Sequence, residues 1–183
     1  RLASGEKLSA KTVLLTTGTF LYGVMHTGDK QTKGGRIDEP ASIGISDRLR
    51  QMGFSLMRLK TGTPARLAAE SINYAGLEVQ ESDARPSFMS YLTNSVKNPH
   101  IICHLTRTNT RTHEIIQAAK ERAPLFNGQI KSVGPRYCPS IEDKVVKFPH
   151  HSTHHVFLEP EGLDTNVVYP NGLSTSLPAD VQL

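Results

Sequence analysis

The stretch GPRYCPSIEDKVVKF, residues 134–148, places a cysteine just before a short amphipathic run. Pro139 disfavours the helical region for the residue before it, so Cys138 is expected in an extended conformation. Ser140 stands where a helix N-cap residue would, with Asp143 three residues further on. Because the apolar residues that follow recur at helical spacing, the stretch predicts a helix that begins directly after Ser140.

A cysteine at this position has two interpretations. Unpaired N–H groups at the start of the helix, together with the positive charge of Arg136 or Lys144, would favour the thiolate form of Cys138 and make its sulfur reactive. Alternatively, Cys138 is a small buried apolar side chain, as most lone cysteines are. The local sequence alone favours the second interpretation.

The composition is typical of a soluble globular protein, because 37% of the 183 residues are hydrophobic and 21% are charged. No run approaches the roughly 18 to 20 apolar residues of a membrane span and no apolar signal-peptide region opens the chain, so we expect a cytoplasmic protein, or a mitochondrial one if the parent is eukaryotic. Two cysteines, Cys103 and Cys138, are too few for a disulfide framework and fit a reducing compartment; we expect two thiols, with a single bridge between them as the alternative. The net charge of +4 is compatible with a nucleic-acid partner but does not by itself indicate one.

The rest of the chain predicts a mixed α and β fold. Apolar spacing and flanking turn residues favour helices over residues 42–53 and 110–121. Short apolar or β-branched runs favour strands over residues 12–16, 54–59, 87–92, 100–106 and 156–158. These elements do not alternate regularly, which argues against a barrel.

Four motifs together resemble one known family. The stretch at 134–148, LKTGTP at 59–64, FLEPEG at 157–162 and YPNGLSTSLP at 169–178 are similar to those of the tRNA uridine 5-carboxymethylaminomethyl modification enzymes, MnmG, also called glucose-inhibited division protein A. The resemblance implies part of a glutathione-reductase-like FAD-binding domain with an inserted, NADH-associated domain. It implies an inner portion of the FAD-binding domain at residues 1–66, the insertion at 67–170 and a return toward the FAD-binding domain at 171–183. The glycine-rich G-x-G-x-x-G fingerprint does not occur, so we expect an internal fragment that is inactive alone.

The resemblance also implies an activity. Enzymes of this family use FAD, NADH and methylenetetrahydrofolate to modify C5 of the tRNA wobble uridine. They act with the GTPase MnmE, and the resemblance implies a homodimer. In such chemistry a cysteine serves as a nucleophile toward C6 of the uracil or as a general acid–base, and the sequence leaves both roles open.

Site residues follow from the resemblance in the same way. It implies a catalytic role for Cys138 and places three loops against cofactors, the first two formed by Gly18, Thr19 and Phe20 and by Gly34, Gly35 and Arg36. The third is formed by Lys60, Thr61, Gly62, Thr63 and Arg66. Around the cysteine, the candidates to bind the nicotinamide dinucleotide, to orient RNA or to tune the sulfur are Arg136, Tyr137, Glu142, Asp143 and Lys144. For each of these, an ordinary turn or an exposed surface charge is the alternative interpretation.

Two rival functions and one rival site are weaker. A folate- and FAD-dependent tRNA uridine methyltransferase of the TrmFO type shares the cofactors, but the YCPSIEDK motif is typical of MnmG. A plain RNA-binding module would carry alternating aromatic and basic residues, which this chain lacks. Four histidines in the segment 149–155 suggest a metal site, but their spacing matches no structural zinc pattern, so we predict a solvated loop there and no metal.

Overall fold

The computed structural model describes residue 2 and residues 4–135 and 138–183. Its contacts divide the chain into two compact units, the first comprising Arg1–Met25 and Thr32–Leu56 and the second His26–Gln31 and Met57–Leu183. Within the described residues, no helix has both the length and the apolar character needed to cross a membrane. The predicted mixed α/β class is confirmed.

The first unit contains the helix α1, Ile45–Gln51, which confirms the helix predicted over residues 42–53. It ends because Gly53 adopts a left-handed φ of 89°. The N–H groups of Gly53 and Phe54 then return to the carbonyls of Arg50 and Leu49, the two hydrogen bonds that define a Schellman motif. A pair of strands, β1 (Val24–Thr27) and β2 (Lys30–Lys33), has residues in both units.

The strand predicted over residues 12–16 is wrong. This segment is irregular, and the side chains of Val13 and Leu14 are 80% and 87% exposed. A strand exists only where a neighbouring strand satisfies its backbone groups. Residues 12–16 form no backbone hydrogen bond with any other described residue. An apolar, β-branched composition therefore does not suffice here.

The second unit is built on a five-stranded antiparallel sheet in the order β3-β7-β6-β5-β4. Its strands are β3 (Leu67–Ala68), β4 (Glu78–Gln80), β5 (Cys103–Arg107), β6 (His155–Pro160) and β7 (Val167–Asn171). β5 and β6 confirm the strands predicted over residues 100–106 and 156–158. On the central strands, Val156, Leu158 and Val168 form one buried apolar cluster.

Helices in the second unit form another core. α2 (Thr110–Ala118), capped by Asn109, and α3 (Ile141–Lys147), capped by Ser140, confirm the two predicted helices, and a short helix α4 (Ala179–Gln182) closes the chain. Their shared apolar cluster is formed by Ile116, Ala119, Ala123, Ile141, Val145 and Leu177. Leu173 packs against both this cluster and the sheet cluster, so the segment after β7 joins the sheet to the helices.

The strands predicted over residues 54–59 and 87–92 are wrong. The first retains only one bridge, between Leu59 and Val133, and the second consists of bends and turns. Short apolar runs are ambiguous by pattern, and neither finds a neighbouring strand among the described residues. The proposed FAD-domain and insertion boundaries stay predictions, although the five-stranded sheet begins at Leu67.

Candidate functional site

The loop of the KTGTP motif lies beside the segment that leads to Cys138. The Lys60 N–H donates to the Val133 carbonyl at 3.0 Å. Gly134 follows at once, and a Cβ atom there would lie 3.7 Å from the Lys60 carbonyl and 3.8 Å from that of Cys138. Two motifs that are far apart in the sequence are thus in direct contact.

The LSTSLP segment joins the same place. The Ile141 N–H donates to the Ser174 carbonyl at 2.8 Å, and the Thr175 N–H donates to the Thr63 carbonyl at 3.3 Å. Gly62 faces Ser174 so closely that a Cβ atom on the glycine would lie 3.0 Å from the serine Cβ. Three of the four family-like motifs therefore converge in the second unit.

Cys138 lies at this convergence with its thiol free and its side chain partly buried. Its N–H donates to the Pro135 carbonyl at 3.3 Å. Two residues later, the Ser140 hydroxyl accepts from the Asp143 N–H, as the sequence predicts, and α3 begins. The other free thiol, Cys103, is on β5, where burial and then the Glu159 carboxylate raise its pKa.

The predicted cations have different surroundings. The Lys60 side chain is only 8% exposed and forms no ion pair with the described residues. A Cβ atom on Gly62 would lie 3.7 Å from Nζ of Lys60. Lys144 donates to the Gly172 carbonyl at 3.2 Å, and burial lowers the pKa of this lysine. Lys144 thus uses one of its three donors within the protein, whereas the described residues offer Lys60 no ion pair.

The contacts described for the Arg66 side chain are all with residues of the second unit. Its guanidinium donates to the Thr63 hydroxyl at 2.7 Å and the Pro64 carbonyl at 2.9 Å, pairs with Glu161 and stacks over the Tyr169 ring at 4.4 Å. These contacts tie the KTGTP loop to the sheet. Arg136 and Tyr137, the remaining residues predicted beside the cysteine, lie outside the described residues.

In the first unit, the TTGTF turn and the KGGR loop touch each other. Gly18 has a left-handed φ of 55°, and a Cβ atom built on Gly35 would lie 2.2 Å from Cδ1 of Phe20. Gly34 donates its N–H to the Gly23 carbonyl at 2.9 Å, and Arg36 pairs with Glu39 at 3.5 Å on the surface. Gly35 thus leaves room for the Phe20 ring, because it has no Cβ atom.

The histidine-rich segment borders an open cleft of about 340 Å³ beside α2, lined in part by His113, His150 and His151. The Thr108 hydroxyl accepts from the His154 N–H at 2.8 Å and lies 2.8 Å from Nε2 of His113. Burial, followed by the neighbouring His113, lowers the pKa of His154. In the described part of the chain, no group of three or more His, Cys, Asp or Glu residues is arranged to hold a metal ion.

A comparison with known families decides what kind of chain this is. The model of the family described as glucose inhibited division protein A matches residues 1–183. The chain belongs to that family. Its resemblance to MnmG, inferred from the four motifs, is therefore confirmed.

Individual members of the glucose-inhibited division protein A family are also similar to this chain. Two proteins named tRNA uridine 5-carboxymethylaminomethyl modification enzyme MnmG are similar to this chain. The one from Rhodopirellula baltica is 56% identical over 173 residues, which are 94% of the chain, and the one from Syntrophotalea carbinolica is 52% identical over 179 residues, which are 98% of it. The crystal structure of Aquifex aeolicus GidA in form I covers 91% of the chain with a TM-score of 0.78 and 52% identity. The chain spans 26% and 29% of the two enzymes' lengths and 29% of the GidA chain.

Sequence reasoning did not single out Gly134, Ser174 and Ser176 as site residues of this family member. The YPNGLSTSLP motif drew attention to the two serines only as part of a resemblance. A local signal for their position does not exist, since their partners are on other elements.

Proposed function

We propose that this chain is part of an FAD-dependent enzyme that, with the GTPase MnmE, installs the carboxymethylaminomethyl group at C5 of the tRNA wobble uridine. Methylenetetrahydrofolate would supply a carbon and NADH the reducing equivalents. Family membership and the names of the relatives support the reaction. The observation that carries the proposal is the convergence of the KTGTP, CPS and LSTSLP segments beside Cys138, whose thiol is free.

Cys138 is the residue we propose for the chemistry on the uracil ring. As a nucleophile, its sulfur would form a bond to C6 and shift the ring electron pair onto C5, the atom that takes the new carbon. Loss of the proton from C5 would then return that pair and release the sulfur. As a general acid–base, Cys138 would instead carry a proton to or from the ring. The nearly buried ammonium of Lys60 would stabilise negative charge that develops in either case.

The first unit fits a role in binding the dinucleotide FAD. The backbone N–H groups of Gly18, Thr19, Gly35 and Arg36 donate no hydrogen bond within the described residues, so they are available to phosphate oxygens. Phe20 packed on Gly35 would hold the two loops at a fixed separation. The flavin, when bound, carries the reducing equivalents supplied by NADH.

The remaining partners are proposals on the same basis. A tRNA substrate agrees with the printed names of the relatives, and those names favour the MnmG reaction over the TrmFO type of methylation. We also propose that the full-length enzyme is a homodimer. For the nicotinamide dinucleotide we propose Lys144 together with Arg136 and Tyr137.

The test uses a full-length family enzyme that carries this segment. Cys138→Ser should abolish formation of the modified uridine, measured by mass spectrometry of tRNA nucleosides, while flavin absorbance per protein stays at the wild-type value. Cys103→Ser is the matched control and should retain activity, since the raised pKa of Cys103 disfavours its thiolate. Wild-type levels of modified uridine in the Cys138→Ser enzyme would exclude the proposed role of this thiol.

A further inference from the structure

Glu142 is the most deeply buried ionisable side chain described in the second unit. It lies in the first turn of α3 with 0% of its surface exposed. Its Oε1 accepts two hydrogen bonds from one residue, the N–H and the hydroxyl of Ser176, each at 3.0 Å. Its Oε2 is also buried and has no hydrogen-bond partner among the described residues. Because a buried carboxyl with an unpaired oxygen costs folding free energy, its presence calls for a physical reason.

Ser176 and the two residues before it form hydrogen bonds with three other segments of the unit, and this explains the buried carboxyl. The Ser176 carbonyl accepts from the N–H of Gly28, which is in the turn between β1 and β2. Its neighbour Thr175 donates to Thr63 of the KTGTP loop, and Ser174 accepts from Ile141 at the start of α3. Ser140, directly before α3, is completely buried as well. The segment 174–176 is therefore a junction between these parts of the unit. Among the described contacts, Glu142 is the only side chain of α3 that forms a hydrogen bond with this junction.

We propose that Glu142 is a positioning residue for the thiol of Cys138, an inference that rests on the proposed function of that cysteine. By holding Ser176, the Glu142 oxygen fixes the start of α3 against the junction. Cys138 lies two residues before the N-cap residue Ser140, and Lys60 belongs to the loop that Thr175 of the junction contacts through Thr63. The bond thus sets the separation between the sulfur and the Lys60 ammonium. An apolar residue at 142 would fill space but would leave the Ser176 N–H and hydroxyl without an acceptor.

The test compares Glu142→Ala, Glu142→Gln and Ser176→Ala in the full-length enzyme, with Glu121→Gln as a control at an exposed position. Glu142→Ala should lower kcat at least about tenfold, the factor that corresponds to losing roughly 1.4 kcal/mol of transition-state stabilisation. The KM for tRNA and the flavin content should stay unchanged. The rate of Cys138 alkylation by iodoacetamide, followed by peptide mass spectrometry, should change by about threefold or more.

The conservative variant separates positioning from charge. Glu142→Gln keeps an oxygen acceptor for Ser176, so its kcat and alkylation rate should stay within about threefold of wild type. Ser176→Ala removes the hydroxyl hydrogen bond to Glu142 but keeps the N–H one, so it should give an intermediate effect. This variant tests the inference even if the Glu142→Ala enzyme does not fold. A Glu142→Gln enzyme as impaired as Glu142→Ala would overturn the inference, as would Ser176→Ala with wild-type kcat and alkylation. A loss of kcat matched by equal losses of flavin and tRNA binding would indicate a general structural role and would also overturn it.

Failure of this inference is distinguishable from failure of the proposed function. If Cys138→Ser abolishes modification while all Glu142 and Ser176 variants behave like Glu121→Gln, only the positioning role is wrong. If Cys138→Ser keeps its activity, the proposed role of the thiol is wrong, whatever the other variants show.

Discussion

Replacing Gly62 with alanine should impair the candidate site without unfolding the protein. The backbone of Gly62 is outside the left-handed region, so alanine is not strained by its φ angle. Its new Cβ atom would, however, lie 3.0 Å from the Cβ of Ser174 and 3.7 Å from Nζ of Lys60. Because carbon atoms pack best at about 3.5–4.0 Å, Ser174 must retreat by about 0.5–1 Å.

This displacement passes directly to the cysteine segment. The Ser174 carbonyl accepts the N–H of Ile141, the first residue of α3, so the start of the helix must follow the serine or lose the hydrogen bond. Misplacement of a reacting group by about 1 Å can cost about 10²-fold in rate. We therefore expect kcat of the full-length Gly62→Ala enzyme to fall by about 10- to 100-fold, with flavin content and tRNA affinity little changed.

The assay is formation of the modified uridine under multiple-turnover conditions, with flavin content and tRNA affinity measured on the same preparations. Gly162→Ala is the matched control, because its Cβ atom would lie at an ordinary 3.4 Å from Cγ2 of Thr165. If Gly62→Ala turns over as fast as Gly162→Ala, the close approach of Gly62 to Ser174 does not govern the site, and the reasoning is refuted.

Two further predictions address other parts of the chain. Gly35→Ala should lower flavin retention through gel filtration of the full-length enzyme, because its Cβ atom would lie 2.2 Å from Cδ1 and 3.0 Å from Cα of Phe20 and would force the two loops apart; unchanged retention would contradict the dinucleotide role. Lowering the pH should destabilise the second unit through His154, since burial lowers the pKa of this imidazole in the folded state. The contribution of neutral His154 to stability is complete above the unfolded pKa of about 6.5 and is lost as the pH falls through the lower folded pKa. Amide hydrogen exchange of β6 at several pH values would measure this, and His154→Asn should flatten the pH dependence; an equally steep dependence in that variant would rule out His154 as its source.

Local signals explain which elements the sequence predicts well. Helix α3 follows from Ser140, Pro139 and the apolar spacing, all within a few residues of one another, and its cap forms as expected. The strand over residues 12–16 is equally apolar but needs a distant neighbour, and composition does not reveal whether one is present. Tertiary pairing therefore decides strands more than helices in this chain.

The same distinction applies to the candidate site. Family-like motifs predict Cys138 and Lys60 as site residues from the sequence, because each motif is contiguous. The burial of Glu142 is not predictable in this way, since a glutamate in a first helical turn is ordinarily a solvated residue that favours the helix dipole. Only the position of Ser176, on a separate segment, converts it into a buried acceptor.

The junction at residues 174–176 has a consequence for biosynthesis. Its hydrogen-bond partners on other segments, Gly28, Thr63, Ile141 and Glu142, all precede it, the first two far earlier in the chain. A ribosome must therefore have released the junction from its exit tunnel before these loops can be joined, and closing such long loops slows folding. Until then Cys138 would lack the contacts that the junction makes with α3 and with the KTGTP loop, so nascent chains arrested before residue 174 should expose its thiol to alkylating reagents and to chaperones.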